Sequence, residues 1–580
     1  MKCILLVSLL MTVAIPATAA PFDWKPYAFR RPPELESAPP RHYPVVVVGA
    51  GPVGLTLALS LAYRGVRVVL LEAKNAVSAG SRSAGISRRS TQILDRIGAI
   101  EPILKRALRR TGAYNRTHWG ATEMFRMQFA DPPREKHQAT VMLQQCWMEQ
   151  LMVETALESG MIDLRWSSKV ASVTDTGEQV RVGVETPEGS YELTTGYLAA
   201  ADGAHGKVRS ALGLRYEGER LPPPFVIIDF EMKSALEGGR GLWFDPPYDP
   251  GATTIIHKFP YDIWRLDALV ATHPEPELAA TPQKAKARIA NQLAMMGITD
   301  KWTFIEASLY RVGTLSLPSY GVGRVFFAGD SAHQIPIWSG RGMNHGIEDA
   351  QTLAWRLARV ILGESSPALL EGYSLERRAA IQSTLHHLVR TTNYMTAPTR
   401  GARLMRTATL SLARRHAFAQ DMFEPRKLKD APYPLAATPA QAAREAAFGA
   451  GPVRGALAPD CRLKTAEGHD VALYDLFGRG FSGLYFGDGS KLPALAQDAF
   501  LRIAPGLSVI HIGAPADHGG CIAALDPFGD ARTLYGAVPG TFYLVRPDDR
   551  IAARWTALDT GELARELTET AMPAQQGNPR

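Results

Sequence analysis

Cysteine is scarce: Cys3, Cys146, Cys461 and Cys521 are the only four in a chain of 580 residues. None stand at CxxC spacing, which excludes a zinc knuckle and a dithiol redox motif. They read as small buried side chains, no metal site is expected, and any redox chemistry must be done by something other than sulfur. An apolar run of membrane length is also missing, since the best candidate, Cys3 to Ile15, is too short to span a bilayer stably. Charge is close to balanced, 64 Lys and Arg against 57 Asp and Glu. No basic stripe interleaved with aromatics occurs, so nucleic acid is not an expected partner. The densest basic cluster, Lys105, Arg106, Arg109 and Arg110, reads as the solvated face of a helix. Internal repeats are absent too. Apolar residues are plentiful at 46%, which excludes global disorder, and the length calls for two or three domains.

Residues 1–20 have secretory-signal composition: Lys2, the apolar run, then Ala17-Thr18-Ala19 as a small-residue cleavage pattern. The alternative is a start assigned too far upstream, with the product beginning near Pro21. Residues 21–42 form a Pro-rich arm. YPVVVVGAGPVGLTLALSLAYRGVRVVLLEA follows, and its order is strand, glycine turn, apolar helix, second strand. Gly49, Gly51 and Gly54 fit GxGxxG, with Pro52 opening the helix and Glu72 closing the second strand. The first glycine permits the tight turn, the second admits a pyrophosphate, and the third lets helix and strand pack closely. The helix N-terminus then faces the phosphates, and Glu72 can accept hydrogen bonds from a ribose. This unit fits either NAD or FAD.

Two further segments repeat the relation of strand then acid: YLAAADGAHGKVRSALG with Asp202-Gly203, and GRVFFAGDSAHQIPIWSGRGMNHGIEDA with Gly329-Asp330. The order GxGxxG, DG, GD resembles the FAD-dependent aromatic hydroxylases of the p-hydroxybenzoate hydroxylase type. Arg82 within RSAGI, Gln145 and Glu149 within QQCWMEQL, and LLEGYSLERR at 369–378 extend the likeness. PIWSGRGMN is most similar to the 3-(3-hydroxyphenyl)propionate hydroxylase branch. The resemblance covers roughly 43–400 and, more faintly, 450–575. It implies bound FAD, held by the GxGxxG turn and Glu72 together with Arg82, Gln145, Asp202, Asp330, Gly340, Gly342, Met343 and Asn344. Asp330 would take ribitol hydroxyls, and a helix beginning near Met343 would aim its N–H groups at the flavin. The sequence departs from the family pattern at Ser331, where alanine is usual, and at His205-Gly206, where DGARS is common.

The fold class that follows is α/β: a Rossmann-like FAD-binding domain with an inserted mixed β-sheet substrate domain, a helical segment and a C-terminal thioredoxin-like domain. Its boundaries are 43–215 and 321–400 for the FAD domain, 216–320 for the substrate domain, 401–450 for the helical linker, and 451–575 for the last domain, which has no CxxC. Residues 222–320 read as largely strand. By resemblance the activity is NAD(P)H-consuming hydroxylation of a phenolic or related aromatic substrate with O2, through a flavin C4a-hydroperoxide. A different FAD oxidoreductase, oxidase or dehydrogenase, and a non-catalytic flavin-binding protein are the alternatives. Catalytic assignment is left among His257, Tyr261, Arg265, His333 and Trp338. Arg265 alternates with Trp264 and Leu266 and so faces the other way, while His333 fits a structural donor equally well and Trp338 a packed aromatic. A homodimer is one expected assembly, and no membrane span is expected. For location two readings stay open: the signal-like N-terminus favours export, whereas the supply of FAD and NAD(P)H favours the cytoplasm.

Overall fold

A computed structural model describes residues 22–571 apart from 37–38, 80–82, 84, 110–113, 129–133, 221–223, 237–238, 271–275, 312, 338–339, 423–430, 488–506 and 515–520. The signal-like residues 1–20, together with Arg82 and Trp338, lie outside the described residues.

Four adjacent parallel strands organise the first domain. His42–Val48 pairs with Gly189–Ala200 on one side and Val68–Leu71 on the other, and Gly189–Ala200 also pairs with Val325–Phe327. The register sets Val48 opposite Ala200 and Ala200 opposite Phe327. The GxGxxG, DG and GD turns therefore leave the same edge of the sheet side by side. In a doubly wound fold that edge, at the carboxyl ends of the strands, is where ligands bind. VVVV is buried throughout, as a strand inside a parallel sheet is.

The helix Pro52–Tyr63 and the long helix Arg341–Ile361 pack together against this sheet. Val53 sits between them, and a Cβ on Gly346 would stand 2.5 Å from Val53 Cγ2 and 3.1 Å from the Gly329 Cα. The long helix starts two residues before the expected position. Ile347, Ala350, Leu353, Ala354 and Leu357 form its core face, the face expected from their spacing.

A seven-stranded sheet makes up the middle layer, in the order Trp302–Tyr310, Phe225–Met232, Ile263–Leu269, Thr253–Lys258, Arg240–Phe244, Tyr114–Trp119, Thr122–Gln128. Its last two strands come from before residue 216, so the expected interval 216–320 is too narrow. Tyr114–Trp119 pairs in parallel with Arg240–Phe244, a contact that local sequence pattern does not reveal. The largely strand reading of 222–320 also needs correction, because Pro282–Met295 is a helix. Its Ala285, Ile289 and Leu293 recur at helical spacing and cover Ile228, Phe230, Trp264 and Leu266 on one face of the sheet.

The last region forms another seven-stranded mixed sheet, from Arg462–Thr465 to Ile551–Trp555. Cys146, Cys461 and Cys521 are buried free thiols. Among the described residues, no helix is long and apolar enough to cross a membrane.

Candidate functional site

The three turns open on one cavity of about 910 Å³ that runs on to the middle sheet. At the first turn Gly49 takes φ +99°, and a Cβ there would meet the Ala201 carbonyl oxygen at 2.5 Å. On Gly51 a Cβ would have only Glu149 Oε1 nearby, at 4.0 Å, and on Gly340 or Gly342 it would meet nothing within 4 Å. Backbone thus lines open space where a phosphate or a flavin ring has to come close. Glu72 is fixed by the Ala50 N–H (2.7 Å) and the Lys74 N–H (3.0 Å). These glycines, Pro52, Glu72, Gln145, Asp330 and Met343 all line the cavity. Set beside a helix N-terminus, they fit a dinucleotide with a pyrophosphate and hydroxyl-rich linkers.

Three of the expected cofactor residues act at one remove. Gly54 does not line the cavity; a Cβ there would stand 1.8 Å from the Gly49 carbonyl oxygen, so it permits the turn to form. Asn344 reaches the cavity, but its amide is consumed by protein: Oδ1 accepts from the Ser87 N–H (2.9 Å) and Ser90 Oγ (2.7 Å), and Nδ2 donates to the Gly85 carbonyl (3.0 Å) and to that of Gly340. The side chain clamps the glycine loop to the strand and helix beginning at Ile86. Asp202 is likewise engaged, accepting from the Val208 N–H at 3.0 Å and from Ser331 Oγ at 2.6 Å. Ser331 Oγ also accepts from the Gly203 N–H (2.8 Å), and a Cβ on Gly206 would lie 2.1 Å from Asp202 Cγ. Two departures from the family pattern therefore meet on one carboxylate: Ser331 brings a hydroxyl to it, and Gly206 leaves room for it.

Buried groups behind the turns hold them in place. Asp349, fully buried, accepts from the Gly329 N–H (2.9 Å), His333 Nε2 (2.7 Å) and Arg377 Nε (2.6 Å). Burial would raise the Asp349 carboxyl, but His333 and Arg377 outweigh it and hold the group below the usual carboxylate range. His333 is thus sealed in the scaffold away from the cavity, and its candidacy as a substrate contact ends there. Glu149, 1% exposed, accepts from the Ser78 N–H (2.6 Å), Ser78 Oγ (3.0 Å) and Gln145 Nε2 (2.8 Å). Burial raises its carboxyl.

The far end of the cavity is the polar face of the middle sheet. The strand registers align Asn115, Arg240, His257, Arg265, Asp229 and Glu306 in one row. Arg265 makes two 2.8 Å bonds to Asp229, and His257 Nε2 lies 3.4 Å from Asp267. Arg240, His257, Arg265 and Asp267 line the cavity with Ile227, Ile255, Ile337 and Tyr310. The alternation of Arg265 with Trp264 and Leu266 holds, but this face looks onto the cavity instead of bulk water. Tyr261 is not among the lining residues. It sits in a turn at φ +64°, with its ring 5.6 Å from that of Trp147.

Sequence reasoning missed Arg240, whose strand is spaced from its neighbours by loops of different length. It also missed the C-terminal wall. Leu457, Ala458, Pro459, Asp460 and Tyr474 line the cavity from the last domain. Asp460 is 5% exposed; Oδ1 accepts from the Cys461 N–H (3.0 Å) and the Tyr474 N–H (3.2 Å), and Oδ2 has no hydrogen-bond partner among the described residues. Burial pushes its carboxyl up to about 7.

Comparison with known proteins gives this geometry its relatives. A family model described as an FAD binding domain matches residues 42–387. The 3-(3-hydroxy-phenyl)propionate/3-hydroxycinnamic acid hydroxylase of Mycolicibacterium smegmatis is 25% identical over 553 residues, covering 90% of this chain and 92% of its own. The para-nitrophenol 4-monooxygenase of a Pseudomonas is 29% identical over 343 residues, covering 58% and 82%. Among solved structures, the flavin-dependent monooxygenase PieE in complex with FAD and substrate superposes with a TM-score of 0.75 at 23% identity, covering 92% of this chain and all of its own. Aklavinone-11 hydroxylase with FAD and aklavinone gives 0.73 at 23%, covering 91% and 99%. The family match spans most of the chain and contains all three turns, and the fold is the mixed α/β fold of flavoprotein monooxygenases: the chain belongs to the FAD-binding-domain family.

Proposed function

We propose that the protein is an FAD-dependent monooxygenase that hydroxylates a phenolic or related aromatic substrate, consuming NAD(P)H and O2. The observation that carries this reading is the continuity of the cavity from the glycine cradle to the row of Arg240, His257 and Arg265. When bound, FAD supplies the redox chemistry, taking electrons from NAD(P)H and passing them to O2. The chain's own groups bind, orient and seal. Gly51 and Pro52 at the helix N-terminus receive the pyrophosphate, Glu72 a ribose and Asp330 the ribityl hydroxyls. The Gly342–Met343 end of the long helix offers its positive pole to negative charge on the ring system. At the far end Arg240 receives the phenolate or carboxylate of the substrate, with His257 beside it to hold or accept a phenolic proton. Asp229 keeps Arg265 in one orientation, while Ile227, Ile255, Ile337 and Tyr310 exclude water from the reacting ring.

The curated relatives named for hydroxyphenylpropionate, hydroxycinnamate and nitrophenol support an aromatic, anionic substrate class. The last domain, with its mixed sheet and no CxxC, reads as a thioredoxin-like appendage whose task is to wall the cavity. Demand for NAD(P)H favours work in the cytoplasm, and N-terminal sequencing of the mature protein tests that against export. Turnover under labelled O2 with a panel of phenols tests the main reading. One labelled oxygen atom per product, with substrate-stimulated NAD(P)H oxidation, is expected. Label found only in H2O2 assigns the protein to the oxidases, and a flavin-loaded protein that never consumes NAD(P)H is a binding protein.

A further inference from the structure

From Arg377 to Gln420 the chain has eight arginines and not one Asp or Glu. The end of this stretch is two helices, Arg400–Ala413 and Ala417–Asp421. Their inward side is anchored: Leu410, Ala413 and Ala419 pack with Phe225, Leu242 and Ile255 of the middle sheet, and Arg406 lies over the rings of Phe244 and Trp119. Their outward side carries large apolar groups in the open, with Leu404 63%, Met405 59%, Leu412 48% and Phe418 65% exposed. Arg400, Arg403, Arg414 and Arg415 stand exposed among them. A monomeric soluble protein seldom concentrates so much exposed apolar side chain on one face without a partner for it.

We propose that this face docks on an anionic phospholipid surface. Apolar side chains ringed by arginines are the pattern of a helix lying in the bilayer interface, where the chains enter the acyl boundary and the cations meet lipid phosphates. Charge argues against a second copy of the chain: a twofold contact would oppose a face bearing four exposed arginines to itself, and Asp421 is the one acid on these two helices. Ile255, on the anchored side, also lines the cavity. A docked bilayer would therefore lie about one helix diameter, roughly 10 Å, from the substrate end.

The test is co-sedimentation of the full-length holoenzyme with vesicles of phosphatidylcholine alone or mixed with phosphatidylglycerol. Binding is expected only to the anionic vesicles, falling as salt rises. Arg403→Glu with Arg414→Glu should weaken it by more than tenfold, at about fivefold per positive charge removed. Leu404→Ser with Phe418→Ser should abolish it while flavin absorbance and the melting midpoint stay unchanged, which separates lost docking from lost folding. Equal recovery with and without anionic lipid would overturn the proposal. So would a dimer, seen by light scattering, that these same substitutions dissolve. Neither readout depends on turnover, so a failure here leaves the hydroxylase reading standing.

Discussion

Two regions of the molecule bury charge, and they do opposite things with it. Beneath the long helix, the turn Pro547-Asp548-Asp549 of the last domain plugs into the first. Asp549 meets Arg89 (2.8 Å) and Arg96 (2.6 Å), Arg546 meets Asp548 (2.5 Å) and Glu376 (2.7 Å), and Glu376 also meets Arg356 (2.7 Å). Each of these carboxylates is answered by arginine, and of these groups only Arg89 lines the cavity. In the cavity, by contrast, one Asp460 oxygen has neither a hydrogen bond nor an ion pair among the described residues, and the glycines leave space that no side chain fills. Buried charge alone therefore does not mark a site. What marks it is polar capacity left unspent next to an opening.

The sharpest way to break the contrast is to unpair the closed region. Arg377→Met takes from the buried Asp349 and Glu348 the cation that bonds both, leaving them His333 and Arg550, and a loss of about 3–5 kcal/mol is expected, read as a lower urea midpoint. Asp460→Asn should do the reverse, and only at high pH. The folded carboxyl sits at about 7 against an ordinary 3.8, so the folded state holds its proton more tightly. The stability this gives is complete below about pH 4 and is lost as pH rises through 7. Asparagine imitates the protonated form, so the variant should gain up to about 4 kcal/mol at pH 8 and nothing at pH 4. Equal melting shifts at both pH values would refute it.

Gly51→Ala sharpens the comparison further, because its Cβ enters open cavity and touches no protein atom closer than 4.0 Å. The apo-protein should melt unchanged while FAD affinity, followed by fluorescence quenching, falls at least tenfold, about 1.4 kcal/mol. Of the variants that change stability, the smallest effect is expected for Ser331→Ala. It removes the hydroxyl's bonds to Asp202 and from the Gly203 N–H, worth about 1 kcal/mol each, and should lower the melting midpoint slightly.

How much of this was legible in the sequence depended on how local the signal was. The strand–glycine–helix unit, Glu72 and the two later strand ends could be read directly because each motif is complete within a few residues. Their convergence could be expected only from the order of the motifs, and the register of Val48, Ala200 and Phe327 supplies its physical reason. Asp349 and Arg377 sat in the quoted stretches GIEDA and LLEGYSLERR, yet their pairing spans 28 residues and two helices, so no spacing rule exposes it. The two readings of His333, substrate contact or structural donor, stayed open for the same reason, since its partner Asp349 lies 16 residues away. Arg240 and Asp460 were invisible because each reaches the cavity through packing between distant segments. The buried Asp548-Asp549 turn has the sequence of an ordinary turn between two strands, and only the arginines of the opposing domain explain why it is inside.

The middle sheet draws Tyr114–Gln128 from one stretch of chain and Phe225–Tyr310 from another. Anyone transplanting specificity between relatives by exchanging the interval 216–320 as a cassette would leave two strands of host origin at its border. Arg240 would then face a foreign neighbour across that seam, and the hybrid would recognise neither parent's substrate well.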